Sequence, residues 1–473
     1  MRFLWFFARV IFVEILSWKK PAPITLCAIL VASISAKYFC AKPGANVNER
    51  YFLNQLEDEL VIALGCTEPI AVAYAAALAR KESGCDEIES MRVSASVNIY
   101  KNAMGVTIPG TQEKGVAMAA ALGAVAGDAE RALEVLEGLQ EEEVEAARTL
   151  IKEEKVQLEV SEHDPLLYIK VTIKTAGGSG SAVIAYKHDL ILELGRDGEL
   201  VYQNDMQVSQ DPEDALVEGD IANIWQFAQT VDPSHLGKIE DALDLNMKIA
   251  DAGLEEKYGL EVGTSIREQM DKLSLSDYCA SRTAAATDAR MAGAIYPVMG
   301  NSGSGNQGLT ATVSVVAAAE YLGSEREALL RAVTLSHLLA IHVKKAFGRL
   351  SPLCGAVPAS IGAAGGIVML MGGGLEEVIA AAQNMFGTLT GMICDGAKAG
   401  CALKVSICIY AAVQAAVVAM QGHSIMMTDG MIGSDVEESM RNVSHISKEG
   451  MAEMDSTLLK IMMNKQAKDL ETN

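Results

Sequence analysis

Aromatic and basic residues are scarce in this sequence, and both shortages narrow the choice of fold and partner. Phe, Trp and Tyr make up 5% of the 473 residues although half of the chain is apolar, so Ala, Gly and Met carry the apolar load. Such a composition favours closely packed helices over an aromatic-rich β-sandwich. The excess of 61 acidic over 39 basic residues gives a net charge of −22, which argues against nucleic-acid binding because that needs a basic surface.

Several motifs that would identify common enzyme classes are absent. No HExxH arrangement of a zinc protease occurs, and the glycine-rich stretch at 301–308 is neither a Walker loop nor a dinucleotide fingerprint. The nine cysteines are odd in number, unevenly spaced and clustered beside glycines, so they do not form a disulfide framework. They indicate a cytoplasmic protein with metal-binding or reactive thiols.

Residues 1–47 differ from the rest of the chain. An uncharged run at 21–36 follows Lys19 and Lys20; it resembles the apolar core of a signal peptide and is short for a membrane span of about 20 residues. Translation starting near Val47 is an equally simple explanation. We therefore expect a cytoplasmic protein, with membrane contact if residues 1–47 are a genuine anchor.

The hydrophobic pattern predicts an α+β fold with three parts after the extension. Residues 48–90 are helical and are expected to pack with the C-terminal domain, residues 91–211 form an α/β domain with an antiparallel sheet, and residues 212–473 form a large, mainly helical, Ala/Gly-rich catalytic domain. The uncharged runs at 356–375 and 405–420 are long enough to raise a membrane alternative. They lack an aromatic belt, so buried helices of a large core fit better.

Three cysteines form the strongest candidate site. Cys394 and Cys401 flank two glycines, and Gly396 or Gly400 can supply the bend that brings the two sulfurs together. Cys354 stands in a loop-like Ser-Pro-Leu-Cys-Gly stretch. Thiolates on irregular backbone suit an iron–sulfur cluster, and three ligands leave one iron open for catalysis. Spacing alone also allows three buried cysteines that act as small apolar residues.

Two polar stretches and a fourth cysteine complete the candidates. Cys66 begins a helix at 70–81, a position that favours a thiolate acting as base, nucleophile or metal ligand, or else a small residue in a tight turn. The stretch 301–308 predicts either an anion-binding loop before a helix or a plain turn. Asn98, Lys101 and Asn102 form a second polar group that can face a small substrate.

These motifs, taken in order, resemble those of the L-cysteine desulfidase family, which is related to the alpha chain of iron–sulfur L-serine dehydratases. The resemblance runs from about Asn48 to the C terminus, and residues 1–47 have no counterpart. It is carried by Leu64-Gly65-Cys66-Thr67-Glu68-Pro69, Lys101-Asn102 with Ile108-Pro109-Gly110, Gly300 to Gly308, Ser351-Pro352-Leu353-Cys354-Gly355 and Cys394-Asp395-Gly396-Ala397-Lys398-Ala399-Gly400-Cys401.

The resemblance implies a function and a set of site residues. It implies conversion of L-cysteine to pyruvate, ammonia and sulfide without pyridoxal phosphate, with Cys354, Cys394 and Cys401 as ligands of a [4Fe–4S] cluster. Cys66 is then catalytic, as base or as resting-state ligand, with Lys101 and Asn102 beside it. The substrate carboxylate is expected on the loop, at Asn301, Ser302, Ser304, Asn306 and Gln307.

Other functions stay open at this point. An L-serine dehydratase of the same iron–sulfur type differs in its leaving group alone, and a non-enzymatic, zinc-stabilised or membrane-attached binding protein would use the cysteines as a closed structural site. A pyridoxal-phosphate lyase finds no lysine with a convincing phosphate cup beside it. A homo-oligomer is one option that the sequence does not decide.

Overall fold

The computed structural model describes residues 48–84, 87–161, 165–204, 220–269 and 272–472, with side chains as far as 465. The extension at 1–47 and the predicted boundary between 211 and 212 lie outside these ranges. The described helices are α1 Glu49–Glu59, α2 Thr67–Ser83, α3 Val97–Ala103, α4 Val116–Ala126, α5 Glu141–Lys152, α6 Ile221–Thr230, α7 Gly237–Glu255, α8 Val262–Glu268, α9 Leu275–Met291, α10 Gly305–Leu322, α11 Arg326–Phe347, α12 Ala356–Leu370, α13 Leu375–Leu389, α14 Cys401–Met420, α15 Val436–His445 and α16 Met454–Thr472. The described strands are β1 Ile62–Leu64, β2 Ile88–Ser96, β3 Val156–Ser161, β4 Tyr168–Thr175, β5 Gly178–Ala185, β6 Ile191–Arg196, β7 Glu199–Gln203 and β8 Pro297–Met299.

Helix α2 confirms the helix predicted after Cys66. Cys66 is its N-cap residue in extended conformation, Pro69 lies in the first turn, and Gly84 ends the helix at φ +70°. The alanines that follow are among the best helix formers and are buried. Their small side chains let α2 lie directly against α4 and against strands β4 and β5.

The described residues between 88 and 203 contribute six strands to one sheet in the order β3-β2-β4-β5-β6-β7. Strands β2, β4, β5, β6 and β7 pair antiparallel with one another in this order, as the period-two pattern predicts. Strands β2 and β3 pair parallel instead, with Met91 opposite Val156 and Ser96 opposite Ser161. The sheet is therefore mixed. After Ser96 the chain leaves the sheet and forms helix α3.

Helix α12 is central to the helical part of the molecule. It packs against α10, α11, α13 and α14, and its residues from Ala356 to Val368 are buried. Glycines 362, 365 and 366 permit this crowding, because a Cβ at Gly362 would collide with the Ser336 carbonyl of α11. Since the described elements are mainly helices around α12 with a separate sheet, the α+β class is confirmed.

A short strand pair ties the N-terminal segment to the helical part. Ile62 pairs with Met299 and Leu64 with Pro297 in the antiparallel pair β1–β8. This pairing brings Cys66 next to the loop at 300–304. Asn48–Asn473 form one compact unit, and the division into parts at 90 and 211 stays a prediction.

Among the described residues, helix α14 is long and apolar enough to cross a membrane by length and composition. Half of its most apolar window is buried in the protein. It packs against α9, α12 and α13 as a core helix does.

Candidate active site

Two loops bring Cys354 and Cys394 together. Leu353 and Ile393 form an isolated antiparallel bridge, the Cys354 amide donates to the Met392 carbonyl at 2.9 Å, and the Cys394 amide donates to the Pro352 carbonyl at 2.6 Å. Each loop connects two buried helices, so neither cysteine lies inside a regular element. The backbone pairing therefore holds two predicted ligands side by side on irregular backbone.

The bend predicted between Cys394 and Cys401 lies at Gly396. Its φ is +90°, a conformation that side-chain-bearing residues rarely adopt, and a Cβ there would collide with the Lys101 carbonyl. Gly400 has ordinary helical dihedrals as the N-cap of α14. The turn directs Cys394, Gly396 and Cys401 into one cavity of about 80 Å³, which Cys354 and Cys66 also line.

The three predicted ligands form a donor set suited to a multi-iron group. All three cysteines are free. Burial and the neighbouring Cys394 raise the pKa of Cys354 to about 12, and burial also raises the pKa of Cys401. Among the described residues, no three His, Cys, Asp or Glu side chains lie close enough to bind a single metal ion. Thiolates around one zinc would lie within about 4 Å of each other, given Zn–S bonds near 2.3 Å, whereas a cluster takes each thiolate on a different iron.

Positive side chains surround the loop that carries Cys394. Lys398 and Lys404 both pair with Asp395, Lys398 at 2.5 Å. Partial burial works to raise the pKa of Asp395, but hydrogen bonds from the two lysines outweigh it and lower that pKa to about 2. Lys344 is buried nearby, and its burial lowers its pKa to about 8. These lysines provide positive charge next to thiolates that a metal cluster would hold deprotonated.

Cys66 and Glu68 form a hydrogen-bonded pair that also lines the cavity. The Cys66 thiol donates to Glu68 Oε2 at 3.2 Å. Burial and the Glu68 charge raise the pKa of Cys66 well above its ordinary value, although the charge of Arg290 lowers it. Burial also works to raise the pKa of Glu68, but His188 and hydrogen bonds from Cys66 and Asn102 outweigh it and lower that pKa. The negative charge therefore resides on Glu68 at neutral pH, not on the thiol as the helix N terminus alone would favour.

The two polar residues predicted beside Cys66 separate in the structure. Asn102 lines the cavity, donates to Glu68 Oε1 at 2.8 Å and accepts from the Cys394 thiol at 3.9 Å. Lys101 does not line it. The Lys101 ammonium is buried, donates to the Cys394 carbonyl at 3.1 Å and pairs with Asp455 of α16 at 2.6 Å. Asn102 thus joins the Cys66–Glu68 pair to a predicted ligand, and Lys101 fixes the backbone that carries this ligand.

The predicted substrate loop contributes two of its five residues to the cavity. Ser304 is the N-cap of α10 and lines the cavity together with Asn306. Asn301 contacts His337 at 3.0 Å and accepts from Ser302 and Gln307 at 2.9 and 2.7 Å, so these three polar side chains bond to one another inside the protein. The helix begins inside the predicted loop, at Gly305.

Two further residues at the site were not identified from the sequence. Arg290, at the end of α9, lines the cavity and is 2% exposed. His188 is equally buried, and its Nε2 lies 4.0 Å from Glu68 Oε1. Burial lowers the pKa of His188 to about 4, and neither ring nitrogen has a hydrogen-bond partner among the described residues. Glu68 lies two residues after Cys66 in the motif Leu64 to Pro69. A carboxylate so close to a candidate thiolate was the sequence signal that could have identified it.

Comparisons with known proteins show what this chain is similar to. Residues 130–460 match the family model described as serine dehydratase alpha chain. A protein of Oleidesulfovibrio alaskensis called UPF0597 protein is 45% identical over 422 residues, which is 88% of this chain and 98% of the relative. A protein of the same name from Chromobacterium violaceum is 39% identical over 421 residues, which is 88% of this chain and 97% of the relative.

Proposed function

Because the chain belongs to the serine dehydratase alpha chain family, we propose that it is an iron–sulfur β-eliminating lyase. The proposed reaction converts L-cysteine to pyruvate, ammonia and hydrogen sulfide. One observation supports it most: three free thiols, a thiol–carboxylate pair and a buried guanidinium line the same small cavity. The cavity of about 80 Å³ is far below the volume that larger ligands occupy.

Cys354, Cys394 and Cys401 are the proposed ligands of a [4Fe–4S] cluster. Their placement around one cavity, on loops that a backbone bridge holds together, supports this assignment. When bound, such a cluster supplies Lewis-acid chemistry at an iron that has no protein ligand. Lys101 holds the Cys394 carbonyl, and the bridge between Leu353 and Ile393 keeps the two ligand loops in register.

Proton transfer is assigned to Cys66 and Glu68. In the fraction of molecules in which the Cys66 thiol has lost its proton, the thiolate removes the Cα proton of the substrate, the Cα–H electron pair forms the Cα–Cβ double bond, and the Cβ–S bond breaks with hydrosulfide as leaving group. The resulting aminoacrylate tautomerises to an imine, which water hydrolyses to pyruvate and ammonia. Arg290 favours the thiolate, whereas Glu68 holds the thiol proton through its hydrogen bond. Asn102 keeps Glu68 oriented toward Cys66.

L-Serine is the second candidate substrate, because the matching family is described by serine dehydratase. Hydroxide and sulfide leave from the same carbon, so the same residues serve both reactions. A small intracellular amino acid as substrate fits a cytoplasmic enzyme, and both the location and a homo-oligomeric state remain parts of this proposal.

The experiment uses full-length protein prepared and reconstituted without oxygen. Sulfide release from L-cysteine and pyruvate release from L-serine are measured side by side for the wild type and for C354A, C394A and C401A. Cys279 provides a control, since it is also free but is fully buried and does not line the cavity. We expect turnover of cysteine above serine in the wild type and in C279A, and loss of iron and turnover in the other three variants.

Two results would overturn the proposal. Protein that turns over neither amino acid while carrying iron and acid-labile sulfide would refute the lyase. Colourless protein with bound zinc and no acid-labile sulfide would instead support the zinc-stabilised binding protein.

A further inference from the structure

Arg290 is a buried cation that forms no salt bridge in the described parts of the chain, although Glu68 lines the same cavity. Its Nη1 donates to Asn306 Oδ1 at 2.9 Å and its Nη2 donates to the Gly65 carbonyl at 2.7 Å. Both acceptors are neutral, and Nε has no partner. Two of the five N–H donors of a guanidinium are thereby used. Burying a charge without a counter-ion is costly, so a function for the remaining donors is expected.

The surroundings of Arg290 place this charge in the cavity that Cys66 and the predicted ligands line. Arg290 lines the cavity together with Cys66, Ser304 and the three predicted cluster ligands. A Cβ at Gly305 would collide with its guanidinium, so the glycine at the start of α10 makes room for the flat group. The charge also acts on Cys66, whose pKa it lowers.

We infer that Arg290 binds the α-carboxylate of the amino-acid substrate, with Ser304 and Asn306 beside it. A guanidinium pairs with a carboxylate through two parallel hydrogen bonds, which fixes orientation as well as position. Held in this way, the Cα hydrogen lies next to Cys66, because Arg290 bonds to the carbonyl of the preceding residue, Gly65. The inference rests on the proposed function in taking an amino acid as ligand, and it replaces the loop residues Asn301, Ser302 and Gln307 as the carboxylate site.

The test uses a ligand that cannot react. L-Alanine has the amino and carboxylate groups of the substrate but no leaving group, and L-alaninamide lacks the negative charge. Binding of both to the anaerobically prepared holoenzyme is measured by calorimetry for the wild type, R290Q and R290K. Arg282 lies two turns earlier on α9 and pairs with Asp251 at 2.6 Å and with Glu320, so R282Q is a matched control.

We expect the wild type and R282Q to bind L-alanine at least about tenfold more tightly than L-alaninamide, since a charged hydrogen bond is worth about that factor or more. R290Q is expected to lose about 10- to 100-fold in affinity for L-alanine and less than about threefold for L-alaninamide. R290K retains the positive charge, so its affinity for L-alanine is expected to lie between those of the wild type and R290Q.

Equal binding of the two ligands by the wild type would overturn the inference, as would an equal loss for both in R290Q. Should R290Q not fold, R290K takes its place under the same criterion. Binding of L-alanine with no turnover of cysteine or serine would refute the proposed reaction while leaving the carboxylate site in place.

Discussion

Replacing Lys101 distinguishes a catalytic lysine, which the sequence predicts, from the structural one that the contacts indicate. The Lys101 side chain is 1% exposed and its partner Asp455 13% exposed, so the pair lies in the interior. Removing one member of a buried pair leaves an uncompensated charge and costs about 3–5 kcal/mol. We expect about 3 kcal/mol for K101M, because Asp455 keeps some access to water, and about 5 kcal/mol for D455N, because Lys101 does not.

A double variant provides the internal check. In K101M/D455L both charges are gone, and the loss relative to the wild type is expected to shrink to about 1 kcal/mol, since well-packed apolar replacements of buried pairs are often neutral. The exposed pair of Lys81 and Glu130 is the control; K81M is expected to cost under about 1 kcal/mol. Urea unfolding followed by circular dichroism gives the free energies.

The same variants report on the loop that carries Cys394. Lys101 also binds the Cys394 carbonyl, so K101M is expected to hold less iron per chain after reconstitution than the wild type. A K101M protein with unchanged stability and full iron content, but without turnover, would refute the structural role and restore the catalytic one.

Three further predictions concern the residues around the cavity. If the Cys66 thiolate is the base, its raised pKa makes kcat/KM for cysteine rise with pH beyond 9. E68Q removes a charge that raises this pKa, so the rise is expected at lower pH in this variant. Identical pH profiles of the wild type and E68Q would argue against this base. G396A introduces a Cβ at φ +90° against the Lys101 carbonyl, whereas nothing lies within 4 Å of a Cβ at Gly391, so G396A is expected to lose iron binding and G391A to keep it; equal iron contents would contradict the role of the turn. Burial lowers the pKa of His188 to about 4, below its unfolded value near 6.5, so the unfolded state takes up the proton first and the unfolding free energy falls by about 1.4 kcal/mol per pH unit as pH drops from about 6.5 to 4. H188Q is expected to reduce this dependence of the unfolding free energy on pH by that amount. Urea unfolding at pH 4.5, 5.5 and 7 measures it, and an unchanged dependence would contradict the prediction. The buried His337, whose pKa is about 3, contributes a pH dependence of its own that remains in H188Q.

Local signals made the ligand loops predictable. Glycines beside Cys394 and Cys401 and a proline before Cys354 are visible in the sequence, and such residues are typical of turns and loops. The helix after Cys66 was equally readable from its proline and its alanines. In each case the decisive physics acts within about ten residues, as it does for turns and helix caps.

Long-range pairings account for what the sequence did not provide. Arg290 ends a helix rich in small residues and resembles an ordinary cation at a helix C terminus, until the pairing of β1 with β8 brings Gly65 to it. His188 stands in a short charged turn between β5 and β6, with no local sign that it is buried beside Glu68. The parallel pairing of β2 with β3 likewise joins segments 60 residues apart. Nothing in the sequence of either strand identifies the other as its partner.

The most direct test of the central claim is anaerobic turnover of L-cysteine with iron and acid-labile sulfide counted per chain, repeated for C66A. The account predicts about four iron and four sulfide per chain, stoichiometric pyruvate, ammonia and hydrogen sulfide, and a C66A protein that keeps its iron but has lost turnover. Cysteine turnover by protein without iron, or full turnover by C66A, would contradict it.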